Sequence, residues 1–137
     1  MSINAEISIN DNSGAVLSEL KRKTILALNQ IGMLAEGYAK RDCPVDTGRL
    51  RNSITYALDG YQSPPGTTGA APDADDTKLR GKPDENTVYI GTNVVYAARQ
   101  EYGDSFQHTT GRAHFLRDAA TTHSAEYKKE VEAILKA

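Results

Sequence analysis

Apolar residues recur at steps of three and four along the first third of the chain. The series is Leu17, Leu20, Ala27, Leu28, Ile31, Leu34, Ala35 and Tyr38, with Thr24 filling the gap. That is the period of a helix with one buried face, running from about Gly14 to Arg41. At 1.5 Å per residue such a helix is about 42 Å long. A small domain is narrower than that, so part of the helix is expected to pack on a neighbouring subunit. Gly32 and Gly37 weaken it and allow close backbone approach. Before it, Ile3, Ala5, Ile7 and Ile9 alternate with polar residues, the period of a half-buried strand. Asp11-Asn12-Ser13-Gly14 reads as a turn and helix start, with Asn12 or Ser13 as the N-cap.

Further along, Ser53 to Leu58 and Thr87 to Thr92 alternate β-branched and aromatic residues and read as strands. Between them, residues 59–86 hold four prolines and four glycines at Pro64, Pro65, Pro72, Pro83, Gly60, Gly66, Gly69 and Gly81. This stretch cannot build a core, and a loop of that length in a small domain is functional or disordered. It is expected to be mobile in the free monomer and to order against a neighbour. Val94 to Tyr102 reads as a short helix stopped by Gly103, followed by a second loop over 104–112. Leu116, Ala119, Ala120, His123, Tyr127, Val131 and Ile134 mark a terminal helix. The expected fold is a single α+β domain over residues 1–137. A small antiparallel sheet of about four strands is packed by the long N-terminal helix and a C-terminal helix. Its open edges invite strand addition from a neighbour.

The sharpest local signal is Cys43-Pro44-Val45-Asp46-Thr47-Gly48-Arg49-Leu50. Pro44 drives Cys43 out of the helical region and so ends the helix. Asp46 and Thr47 hydrogen-bond local backbone, and Gly48 takes a positive φ at no steric cost. Pro44, Asp46, Thr47, Gly48 and Leu50 are therefore candidate determinants of a structural corner. It displays no reactive group; its distinctive residues set geometry.

Pro44 to Ile54 resembles the PVDTGxLRxSI signature of a family of long-tailed phage morphogenesis proteins, the lambdoid HK97 gp10-like family. Its members are usually called neck, head-tail joining, tail-completion or minor tail proteins. Tyr96-Ala97-Ala98-Arg99-Gln100-Glu101-Tyr102-Gly103 is similar to that family's YAxxxEFG segment. Ala113-His114-Phe115-Leu116-Arg117-Asp118-Ala119 is similar to its xPFLRPA segment. The three occur in the family's order. His114 and Asp118 stand where the family often carries prolines, and the 59–86 loop has no counterpart there. The resemblance implies a structural virion protein of the head-tail neck or upper tail, assembling as a ring compatible with six-fold tail symmetry. It implies head-closure, tail-terminator or tail-tube proteins as neighbours, and passing contact with genomic DNA in the lumen. Arg49, Arg51, Glu101 and Tyr102 are the candidate interface residues.

Composition narrows the alternatives. Sixteen Lys and Arg against eighteen Asp and Glu leave a formal charge of −2, which supplies no global basic field for nucleic acid. Basic clusters at Lys21-Arg22-Lys23, Lys40-Arg41 and Arg49 with Arg51 read first as solvated helix faces and helix-end cations. One cysteine forms no intrachain disulfide. No apolar run approaches the roughly 20 residues that span a bilayer. The first residues lack a signal peptide's basic and apolar regions. Assembly in the host cytoplasm and residence in the virion are the expected locations.

Catalytic chemistry finds little support. His108, His114 and His123 lie at no metal-ligand spacing, and His123 falls on an apolar stripe. Asp73-x-Asp75-Asp76 lacks the glycine turn and distal glutamate of a Ca²⁺ loop and reads as a solubilising acidic patch. There is no GxSxG, HExxH or P-loop lysine. Cys43 with His108 or His114 is a conceivable dyad, and Asp42 with Asp46 a conceivable acid and base, although Asp46 reads first as satisfying backbone N–H groups in the corner. No catalytic, metal-binding or cofactor-binding residue is assigned. Seven tyrosines without a tryptophan suit either a modest core or a contact surface. The near alternative is a head-closure or tail-terminator ring of the same neck. The distant one is a small cytosolic enzyme or nucleic-acid-binding accessory protein.

Overall fold

The computed structural model describes residues 2–45, 47–102 and 113–137, with backbone alone at 2–13, 98 and 99. The architecture is α+β. Helix α1 runs from Ser2 to Asp42, and a short helix α2 covers Arg49–Ser53. Strands β1 (Thr55–Leu58), β2 (Tyr61–Gln62) and β3 (Tyr89–Gly91) follow, with a 3-10 turn at Ala74–Thr77 between the last two. Helices α3 (Ala97–Tyr102), α4 (Phe115–Thr121) and α5 (Ser124–Lys136) complete the order. The sheet is antiparallel, in the order β2-β1-β3, with Leu58 opposite Tyr61 and Tyr56 opposite Ile90.

Three expectations are corrected. Residues 3–9 form no strand: they are the first turns of α1, which has 41 residues and is roughly 60 Å long. Extending an existing helix gains one hydrogen bond per residue fixed, whereas a lone terminal strand gains nothing until it pairs. Among the described residues the sheet has three strands rather than about four, β2 being one that the pattern did not mark. The terminal helix is also two helices, broken at Thr122 and His123.

Cys43 leaves the helix immediately before Pro44, and its N–H still reaches the Ala39 carbonyl at 2.9 Å. The main core lies beneath this helix end. Ala39, Cys43, Leu50, Ile54, Val94, Ala97, Phe115 and Ala119 pack together there, with Phe115 and Ile54 fully buried. A smaller cluster of Leu28, Tyr56 and Leu58 joins the middle of α1 to β1. Gly32 makes that join possible: a Cβ there would stand 2.5 Å from the Tyr56 ring. The Tyr56 hydroxyl then donates to Asn29 Oδ1 at 2.6 Å. At Gly37 a Cβ would meet nothing.

All four residues of β1 are buried, so both faces of the strand are covered. Helix α1 covers the Tyr56 and Leu58 face. On the other face Gln62 Nε2 donates both to Thr55 Oγ1 and to the Thr77 carbonyl of the long loop. Helix α5 returns along α1. At its start Tyr38 stacks on His123, with ring centroids 3.5 Å apart, and donates to Glu126 at 2.6 Å. At its end Lys23 Nζ donates to the Ala137 carbonyl.

Candidate functional site

The densest polar constellation joins the corner after α1 to the long loop. Gly48 is the N-cap of α2 and has φ 95°, and its carbonyl accepts from Asn52 N–H at 2.8 Å. Thr47 Oγ1 accepts from Arg49 N–H at 3.3 Å, and the Thr47 carbonyl accepts from Ala70 N–H at 2.8 Å. Asp46 lies outside the described residues. Leu50 is buried in the main core. Pro44 takes the Cys43 thiol hydrogen on its carbonyl at 3.3 Å.

Asn52 is the hub, with only 3 % of its surface exposed. Its Nδ2 donates to the carbonyls of Thr68 and Ala70, each at 2.9 Å. Its own carbonyl accepts from Gly66 N–H at 2.9 Å. Arg51 adds a bond to the Thr68 carbonyl at 3.2 Å. A buried primary amide suits this task because it donates twice and fixes two carbonyls at once. Ser53 Oγ donates to the Leu50 carbonyl at 2.6 Å and accepts from Thr92 Oγ1 at 2.5 Å, which ties α2 to the end of β3.

Arg49 clamps the next part of the loop. Its guanidinium meets Asp76 in a two-pronged contact, Nε to Oδ2 at 2.8 Å and Nη2 to Oδ1 at 3.0 Å, and reaches Asp73 at 3.2 Å. Planar guanidinium matches carboxylate geometry in this bidentate form. The Tyr96 ring lies 5.8 Å from the same guanidinium. Asp76 Oδ2 also accepts from Asp73 N–H at 2.8 Å, closing a capping box over the 3-10 turn. The hydrogen bond from Arg49, with the backbone N–H of Asp73, holds the Asp76 carboxyl below the usual carboxylate range. Asn93 completes the grip: its N–H donates to the Asp76 carbonyl at 2.7 Å and its side chain to the Asp75 carbonyl at 2.9 Å. The solubilising-patch reading therefore fails for Asp76, which is 3 % exposed and ion-paired.

A second constellation sits where α3 meets α4. Glu101 is buried, and its carboxylate accepts from the Leu116 and Arg117 N–H groups at 3.0 and 2.9 Å. Its carbonyl accepts from His114 N–H at 2.8 Å. These are orphan donors at the first turn of α4, where a carboxylate is favoured by the helix dipole. His114 itself stands in the left-handed region, φ 61°, as the N-cap. Tyr102, one residue on from Glu101, is 73 % exposed.

Together these contacts bring Thr47, Gly48, Arg49, Arg51 and Asn52 onto the loop, while Glu101 acts at a separate place on α4. Gly103 and His108 lie outside the described residues. Burial pushes the Cys43 thiol up to about 12, far from a thiolate nucleophile at neutral pH. Among the described residues no group of three His, Cys, Asp or Glu side chains is placed to hold a metal. No described helix is long and apolar enough to cross a membrane.

The profile of the HK97-gp10-like family, described as "Bacteriophage HK97-gp10, putative tail-component", matches residues 9–103. The chain belongs to that family. The match spans most of α1, the corner, the whole sheet and α3, so both the Arg49–Asp76 clamp and the Asn52 hub lie inside it. Membership makes the protein a phage tail component, with a structural role alongside other phage structural proteins. No curated protein and no solved structure matches the chain.

Proposed function

We propose that this chain is a structural component of the head-tail neck or upper tail of a long-tailed phage or prophage. It assembles there as a ring, six-fold for preference, that joins head to tail. One observation carries the reading. The side chains at the centre of the two polar constellations, Arg49, Asn52, Asp76 and Glu101, use their polar atoms to hold backbone and one another. Polar groups committed inward in this way fix shape; fit to neighbours is the mechanism. Arg51 and the exposed Tyr102 are the candidate contact residues. Arg49 and Glu101 act on the interface through the loop and the helix they position.

Head-closure, tail-terminator and tail-tube proteins are the proposed neighbours, with genomic DNA passing through the lumen. The protein has no catalytic step in this reading. The test is native mass by light scattering, with and without the neck and tail proteins of the same virion. A discrete ring is expected, alone or on addition of a partner. A monomer that ignores every virion protein would sink the proposal.

A further inference from the structure

Helix α1 carries its apolar stripe further than the described residues cover it. Ala27 and Leu28 are buried at 2 and 9 % exposure, yet Leu17 and Leu20, earlier on the same face, stand 64 and 50 % exposed beside Val16 at 62 %. The cover stops at Lys23, where the end of α5 is tethered. From Gly14 to Arg22 every residue is exposed. A second apolar seam runs along the far side of the helix. Leu26 and Met33 are exposed at 47 and 53 %, roughly 200° round the axis from Leu17 and Leu20 at about 100° per residue. Above this seam Gly37 leaves open space, since a Cβ there would touch nothing.

We propose that the uncovered arm of α1, through Val16, Leu17 and Leu20, packs on the Leu26–Met33 seam of a second copy of this chain. The proposal rests on the reading of the protein as a self-assembling tail component, and names its contact. Charge favours a second copy as the occupant. Residues 2–20 contain Glu6, Asp11 and Glu19 and no lysine or arginine, while Arg22, Lys40 and Arg41 border the seam. Among the described residues the ion pairs of these three cations are short-range, to Glu19, Glu36 and Asp42; the exposed Arg22–Glu19 pair contributes little and re-forms readily with an incoming carboxylate. An arm-to-arm dimer would cover Leu17 and Leu20 but leave Leu26 and Met33 in water. Joining two different patches is a heterologous contact, and each copy then offers one patch of each kind. Such contacts propagate into a ring when the rotation closes.

The test uses the full chain and two double variants at exposed positions, L17K/L20K in the arm and L26K/M33K in the seam. Circular dichroism verifies that both fold. Light scattering up to millimolar concentration is expected to show the wild type as an oligomer and each variant as a monomer. Mixed, the variants should form a one-to-one dimer and nothing larger, because one intact arm meets one intact seam. Variants that still assemble, a mixture that stays monomeric, or a monomeric wild type would each overturn the contact. Cosedimentation with purified virions separates this from the functional reading. A monomeric wild type that still joins tails would remove the contact alone. Patch-dependent assembly by a protein that never joins tails would remove the neck reading alone.

Discussion

Gly48 and Gly69 face each other across the corner, both in the left-handed region, with φ 95° and 92°. Each occupies space that the other's neighbour needs. A Cβ on Gly48 would stand 3.0 Å from the Thr68 carbonyl oxygen, and one on Gly69 would stand 2.8 Å from that of Thr47. The loop can lie this close to the corner only because neither residue has a side chain. Gly48→Val and Gly69→Val are each expected to cost about 1–3 kcal/mol from backbone strain, with steric displacement added. Because they open the same contact, the double variant should lose less than the sum. Urea unfolding of the two singles and the double measures this, and full additivity would refute the shared contact.

Asn52 tests the hub. Asn52→Ala strips the bonds from two loop carbonyls, a loss of about 1–3 kcal/mol. Asn52→Asp should be worse, since an acceptor would then face the Thr68 and Ala70 carbonyls in place of a donor. Guanidinium denaturation ranks the two, and the opposite order would show that the amide does not donate there.

Asp76 gives the pH dependence. Its folded pKa lies below the ordinary value of 3.8. Between the two values the unfolded chain binds a proton that the folded one does not. The stabilisation is thus complete above that ordinary value and is lost as pH falls through the lowered one. Asp76→Asn is expected to lower Tm at neutral pH and to flatten its acid limb, so that the variant and wild type converge as pH falls below the lowered value. Thermal melts across pH 7 to 2.5 decide it; parallel curves would mean the carboxylate is not held by Arg49.

Glu101→Gln preserves size but leaves one acceptor oxygen for two N–H groups at the start of α4. One of those donors would face the new amide's own N–H. A cost of about 1–3 kcal/mol is expected, with fraying confined to α4. Nuclear magnetic resonance shifts of Leu116 and Arg117 would report it, and unchanged shifts would exclude the cap.

Helix α1 offers a matched pair. Gly37→Ala should stabilise the protein by about 0.5–1 kcal/mol, the gain from replacing a helical glycine in open space. Gly32→Ala should destabilise it by about 1–3 kcal/mol, because the new methyl meets the Tyr56 ring. Tm shifts of the same sign would show that Tyr56 does not lie against the helix.

The sequence carried the long helix clearly, because Leu28, Ile31, Ala35 and Tyr38 repeat at helical period over many turns. It misled at Ile3, Ala5, Ile7 and Ile9, where alternation over seven residues was weaker than the gain from extending a helix already formed. Helix α2 was hidden inside the corner motif, and the two residues of β2 are too few to show a period. Gly48 was legible from its Asp-Thr-Gly setting. Gly69 was one of several glycines in a loop, and nothing local marked it as the one that meets Gly48. The Arg49–Asp76 pair had no signal at all, since neither residue's neighbours record a contact across the loop. A capping-box spacing from Asp73 to Asp76 was present and could have flagged the 3-10 turn. Asn52 was missed because a single asparagine carries no motif, although it sits beside the most distinctive residues of the chain.

The ties between corner and loop are spaced from Gly66 to Asp76 rather than gathered at one end. A flap held at a single point peels open residue by residue. One held at intervals must release all its fasteners together. Residues 66–76 should therefore open as one cooperative unit with α2, and their hydrogen-bonded amides should share a common opening free energy in hydrogen exchange despite the prolines and glycines around them.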